Sequence, residues 1–223
     1  MGQTVRMGTD SDSARAPRGP YRTGIRRRGE IIDSATRVFG RHGFARGTLR
    51  EIAAEVGVSP AALMRHFATK EELLIAVLQA SEEADSEQFF GGATGMEHFD
   101  HSSRLVAKNA RNRGLVELLL TVATEASHPD HPARPFMRAR YQSHVEGLAA
   151  HLRTARDLGE IRPLTDAEIE HEARGYIALM DGLELQWLLD PDFDLLSAWE
   201  YHYLQTRARW TGDAVTPRRD PEK

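Results

Sequence analysis

The sequence contains no cysteine. That absence excludes a disulfide framework, a thiol nucleophile and any cysteine-based zinc site. Aromatic residues are sparse, at 7%, and no apolar run approaches the ~20 residues that a bilayer-spanning helix needs. The first residues carry Arg and Asp where a secretory leader would carry its apolar stretch. A cytoplasmic protein with no membrane partner is expected. No Gly-rich phosphate loop after a strand, no Ser-His-Asp arrangement and no supported carboxylate pair can be placed. Neither enzymatic activity nor a cofactor is therefore expected, and no metal.

What is present is a globular composition. The 223 residues are 40% hydrophobic and 28% charged, enough to bury a core and too apolar for a disordered chain. The net charge of -4 conceals an asymmetry. Residues 1–70 hold 13 Lys+Arg against 6 Asp+Glu, and residues 71–223 hold 16 against 27. A basic N-terminal third on an acidic body points to a polyanionic partner for that third alone.

The apolar pattern is helical throughout. Residues 1–24, rich in Gly, Ser, Arg, Pro and Thr, predict a disordered basic tail. Ile31, Ala35, Val38 and His42 share one face of a first helix, which Gly43 ends. Thr48 with Glu51 forms a capping box ahead of Leu49, Ile52, Ala53 and Val56. Gly57 closes that second helix, Val58 follows as a buried turn residue, and Ser59 with Pro60 opens a short third one. Leu63 and Phe67 face inward from it. Thr69 and Glu72 cap a fourth helix that runs to about Phe90. Beyond Gly91, Gly92 and Gly95, further helices are expected over about 101–112, 114–127, 133–157, 165–189 and 194–211, punctuated by Pro129, Pro132, Gly159, Pro163 and Pro191. Thr165 with Glu168 is a third capping box. The expected fold is all-α with about nine helices. Its units are a tail over 1–24, a three-helix head over 25–70, a connecting helix over 71–90, a larger helical body over 91–212, and a flexible tail over 213–223.

A helix, a Gly-containing turn and a second short helix make the helix-turn-helix plan. Ala53 is small where the two helices cross, Gly57 reverses the chain, and Leu63 and Phe67 pin the second helix. Its outer face, with Ser59, Ala61, Ala62, Met64, Arg65 and His66, is then free to enter a major groove. An ordinary helical corner with no DNA role is the plainer alternative, and the basic head weighs against it.

The residues Ala35, Val38, Phe39, Gly43, Phe44, Thr48, Ile52, Ala53, Gly57, Val58, Ser59, Leu63, His66, Phe67, Lys70, Glu71 and Leu73 resemble the signature of the TetR family of bacterial regulators, closely over residues 25–80. His131-Pro132 and the stretch from Asp181 to Leu183 and from Trp187 to Pro191 resemble one C-terminal subclass of that family. The resemblance implies a homodimer that binds palindromic double-stranded operator DNA, usually as a repressor, and leaves it when a small-molecule effector enters the body. It implies that Thr48 and Lys70 meet phosphates at helix N-termini, that His66 touches the DNA backbone, that Arg65 reaches a phosphate or a guanine edge, and that Ser59, Ala61 and Ala62 face the groove with Arg50 at its flank. Met64 departs from the family, which commonly has an aromatic, usually Tyr, there; Met cannot donate the phenol's bond to a phosphate. Gly47, often Thr in relatives, gives up another contact. Arg26, Arg27 and Arg28 read either as an arm entering a minor groove or as a solvated helix start.

In the body, apolar stripes are expected to pair two copies of the chain. One stripe comprises Ile169, Ala173, Tyr176, Ile177, Met180, Leu183 and Leu188. The other comprises Phe193, Leu195, Leu196, Trp199, Tyr203 and Leu204. Core packing within one chain is the competing use of the same residues. Phe136, Tyr141, His144, Met180, Glu184 and Trp187 are the candidates to line an effector pocket. The alternative to a regulator is a helical metal- or ligand-binding protein without specific DNA readout. Its candidates are His98 with His101, His128 with His131, and Glu168 with His171, but the two His pairs fall in or beside predicted loops and no second Glu-x-x-His copy accompanies the third.

Overall fold

The computed structural model describes residues 20–190 and 192–213. Most of the two predicted tails, and Pro191, lie outside the described residues. The described chain folds as ten helices with no strand: α1 (Pro20–Arg46), α2 (Leu49–Val56), α3 (Pro60–Met64), α4 (Lys70–Phe90), α5 (Met96–Asp100), α6 (Ser102–Arg111), α7 (Arg113–Glu125), α8 (Arg134–Asp157), α9 (Asp166–Leu189) and α10 (Leu195–Thr211). Two differences from expectation concern helix ends and count. Residues 20–24, assigned to the tail, already belong to α1. The five residues of α5 fall in what looked like a glycine break; one helical turn is too short to show a period.

The caps explain where helices start. Thr48, Ser59, Thr69 and Thr165 are all extended and accept a bond from the backbone N–H three residues on. Only Thr165 with Glu168 completes the reciprocal box. Glu51 turns its carboxylate to His42 Nε2 at 3.1 Å. Glu72 reaches one residue further back, accepting from the Ala68 N–H at 2.7 Å. His42 is accordingly exposed and does not share the buried face of Ile31, Ala35 and Val38.

Two cores hold the molecule. The first joins α1–α4 through Ile31, Val38, Phe39, Ile52, Leu63, Phe67 and Leu74, and continues into the body through Leu118 and Val122 of α7 and Met137 of α8. Head and body therefore share one apolar core, and α1 lies against α7. The second core is aromatic: Phe99, Tyr176, Trp199, Tyr203 and Trp210 meet mostly edge to face between α5, α9 and α10. This core uses most of the stripes expected to join two chains. Ile169, Ala173, Tyr176, Leu183, Leu195, Trp199 and Tyr203 are buried within one chain. The large apolar residues that α9 and α10 leave exposed are Leu185, Leu189, Tyr201 and Leu204. Periodicity marks a helix as apolar on two sides but does not say which side another chain covers.

Candidate functional site

Two places in the molecule combine exposure or a cavity with chemistry. The first is the outer face of the head. Gly57 takes φ 72° and ψ 35°, a left-handed conformation that glycine adopts without a Cβ clash. Its N–H donates to the Ala54 carbonyl and the next N–H, of Val58, to Ala53 at 2.9 Å, the paired bonds of a Schellman turn. The chain thereby reverses into α3, which is only five residues long. So short a helix has no stability of its own. It is held by Leu63 and Phe67 beneath it, both fully buried, and by the Ser59 cap above.

With the inner residues spent, Ser59, Ala61, Met64 and Arg65 are exposed and Ala62 and His66 half-buried on the outer side. Thr48 and Arg50 are exposed at the start of α2, next to them in sequence. Gly47 has a packing reason for lacking a side chain: a Cβ there would stand 2.8 Å from the Phe39 ring. Lys70 differs from expectation. Its ammonium turns back into the head, donating to the Phe44 carbonyl and lying 4.4 Å from the centre of the Phe44 ring. Burial lowers its pKa.

The three arginines read as a possible arm are turns of α1. Arg26 and Arg27 pair with Glu30, and the Arg28 guanidinium lies 4.7 Å from the centre of the Phe67 ring. The solvated-helix reading describes the first two; Arg28 also covers the residue that pins α3. Arg37 and Arg41 bond the two oxygens of Glu55, each at 2.7 Å, which ties α1 to α2 and holds the Glu55 carboxyl below its usual range.

The second place is a cavity of about 290 Å³ inside the body, enclosed by α4, α6, α7, α8 and α9 and touched by His98 of α5. Of the sequence candidates, His144, Met180 and Glu184 line it. Tyr141 sits behind it, donating to Asp181 Oδ2 at 2.7 Å. Phe136 and Trp187 do not line it: Phe136 packs on the head core, and Trp187 is buried beneath the Arg113 guanidinium, 4.9 Å from its ring centre.

Sequence reasoning missed most of the polar lining. Lys108 bonds Asp85 at 2.9 Å and Arg140 bonds Glu82, two ion pairs that cancel. Asp181 and Glu184, one turn apart on α9, have no basic side chain at ion-pair distance among the described residues; Glu184 accepts from Asn109 Nδ2 at 2.7 Å. The available signal was a pair of acids at i, i+3 in the mainly apolar second half of α9.

Burial raises the Asp181 carboxyl and pushes Glu184 up to about 7, with the neighbouring Asp181 charge adding to the rise and Asn109 opposing it. His98, stacked between His151 and Phe90, is lowered to about 4 by burial and by its histidine neighbours. The Glu184 shift has a measurable consequence. The folded chain binds more protons than the unfolded one between Glu184's ordinary value of 4.5 and about 7. Stability from this group is full below the lower value and is lost as pH rises through the upper one. Glu184→Gln is expected to flatten that part of the stability–pH curve. Above neutrality it should exceed the parent by at most on the order of 3 kcal/mol. Thermal melts of both proteins across the range check it; parallel curves would show Glu184 ionised at its ordinary pKa.

The metal-binding form of the alternative depends on clustered ligands. Among the described residues no group of three or more His, Asp or Glu is placed to hold a metal ion. His131 Nδ1 accepts from the Ala133 N–H at 3.2 Å, Glu168 serves its cap, and His171 bonds the Ala167 carbonyl. No helix among the described residues is long and apolar enough to cross a membrane.

Comparison with known proteins bears on both places. Residues 31–77 match the model of bacterial regulatory proteins of the tetR family. Residues 103–202 match that of the BetI-type transcriptional repressor C-terminal domain. The transcriptional regulator TtgR of Pseudomonas putida is 31% identical over 187 residues, covering 76% of this chain and 84% of the relative. The regulator UidR of Escherichia coli is 24% identical over 137 residues, 61% of this chain and 69% of its own. A TetR regulator structure from Haloarcula marismortui shares the fold with a TM-score of 0.69 at 22% identity, covering 83% of this chain and 98% of that one.

Proposed function

The chain belongs to the TetR family of DNA-binding transcriptional regulators, and from that premise we propose that it is a repressor that binds a palindromic operator as a homodimer and leaves it when a small molecule occupies the body cavity. One observation carries the reading: α3 is pinned from below by Leu63 and Phe67 and presents Ser59, Ala61, Met64 and Arg65 outward. A five-residue helix held at both ends and bare on its outer side has the shape a major groove admits.

Within that reading Ser59, Ala61 and Ala62 meet base edges, and Arg65 reaches a guanine or a phosphate. Thr48, His66 and the start of α4 at Lys70 position the backbone, with Arg50 beside the groove. Thr48 keeps its hydroxyl proton for a phosphate, since its oxygen already accepts from Glu51. Met64 supplies apolar contact where a phenol would bond a phosphate. The Lys70 side chain must leave the Phe44 carbonyl to meet a phosphate directly.

Two heads about one DNA turn apart need two copies. Leu185 and Leu189 are 51% and 78% exposed on α9, and Tyr201 and Leu204 are 62% and 48% exposed on α10. At i, i+4 and i, i+3 spacing they make an apolar strip that a second chain's strip covers.

The test is a gel shift with footprinting on DNA flanking the protein's own gene, at fixed near-physiological salt because phosphate-dominated affinity falls steeply with it. A two-fold footprint supports the reading; weak binding with no sequence preference across random DNA counts against it. Ala61→Ser is then expected to alter base preference at one position of each half-site by roughly tenfold while changing affinity for random DNA little. Uniform loss across an operator mutant set would remove Ala61 from the groove.

A further inference from the structure

The proposed release leaves open which molecule the cavity takes, and the lining residues speak to its chemistry. We propose that the effector is an organic cation, a protonated amine on an apolar body, whose ammonium is held by the Asp181–Glu184 pair of α9. This rests on the cavity being the effector site.

The charge balance of the cavity carries the inference. Four carboxylates line it, against Lys108, Arg140 and two histidines, His98 and His144. The two permanent cations are already spent, Lys108 on Asp85 and Arg140 on Glu82. Asp181 and Glu184 are left over. Glu184 is only 2% exposed, and each acid has one neutral hydrogen-bond donor, Asn109 or Tyr141, in place of a cation. A buried acid beside a half-buried one is costly unless a positive charge enters between them. Burial has pushed the Glu184 carboxyl up to about 7, the response of an acid that lacks its counter-ion.

Tyr176 lines the same cavity, its hydroxyl being closed off from that space. An anion would meet the two acids, and a purely apolar molecule would leave both without a counter-charge. The rest of the wall, including Leu105, Leu119 and Ile177, is apolar and suits an aromatic or aliphatic body.

The test uses the full chain and three probes of one shape: phenylpropylamine, phenylpropanol and phenylpropanoate. Isothermal titration at neutral pH is expected to rank the amine first, the alcohol weaker by at least about tenfold, and the carboxylate weakest. Glu184→Gln and Asp181→Asn should each weaken the amine at least about tenfold and leave the alcohol within about threefold, which a merely structural role would not do. The carboxylate binding more tightly than the amine, or the amine unmoved by both variants, would overturn the proposal.

Operator release is scored separately by gel shift. Release by the alcohol or the carboxylate, with no amine binding, would refute the cation and keep the release reading. Acid-dependent amine binding with no release would keep the site and sink the release reading.

Discussion

Gly114→Ala is expected to lower the melting temperature of the full chain by roughly 5–12 °C, and Gly40→Ala, across the same contact, to leave it unchanged or raise it. A Cβ built at Gly114 stands 1.7 Å from the Gly40 carbonyl oxygen and 2.6 Å from the Gly40 Cα. These are backbone atoms of α1, so nothing can rotate away and the helices must separate. Overpacking of a fitted interface costs about 1–3 kcal/mol and more where the backbone must move. One kcal/mol shifts the midpoint about 2–4 °C in a domain of this size. A Cβ at Gly40 meets nothing within 4 Å, and inside a helix alanine outperforms glycine by about 0.5–1 kcal/mol.

Gly114 also lies next to Leu115 and Val116, which line the cavity, while Gly40 belongs to the helix that carries the head. The contact is therefore a direct mechanical link from cavity wall to head. Gly114→Ala protein that remains folded should show altered operator affinity in the gel shift as well as a lowered midpoint. Equal melting of the two variants would mean that the helices do not approach so closely.

Phe67→Ala is expected to cost about 3–5 kcal/mol and to abolish specific DNA binding. Phe67 is fully buried, follows α3 directly, and has Arg28 of α1 over its ring. Removing it opens a void under a helix of five residues, too short to persist without tertiary support. The outward residues would then lose their common face although none of them had changed. The aromatic core of Trp199, Trp210 and Tyr176 shares no residue with the head core. Near-ultraviolet circular dichroism of the body should therefore survive while the gel shift disappears. Retained specific binding would show that Leu63 and the Ser59 cap suffice to hold α3.

The comparison of expected and observed structure follows the range of the interactions involved. Helix boundaries were readable at Thr48, Gly57, Ser59, Thr69 and Thr165, which all act within four residues of themselves, whereas Gly43 kinks α1 and the helix runs on to Arg46. The outward face of α3 was readable for the same reason, since Leu63 and Phe67 fix the inner side by spacing alone. The five residues of α5 and the early start of α1 at Pro20 were not, because neither has a periodic apolar face to announce it. Of the two uses open to the apolar stripes, core packing takes most of their residues, and Leu204 stays exposed. Tyr176, Trp199 and Tyr203 fill one chain's core, and the exposed strip of Leu185, Leu189, Tyr201 and Leu204 stood out only once those neighbours were placed.

The sequence by itself determined the helices, their caps, the turn at Gly57 and the family of the head, all of which depend on local spacing and backbone preference. The tertiary structure alone decided which acids of the body share a cavity. Glu184 meets Asn109 across 75 positions and Tyr203 meets Asp100 across 103; no local pattern encodes such pairs. It also decided that Lys108 and Arg140 are already neutralised, that Lys70 turns inward, and that α1 and α7 touch at Gly40 and Gly114. Charge, burial and close approach are properties of neighbours in space, and helices distant in sequence become neighbours only when their apolar faces pack.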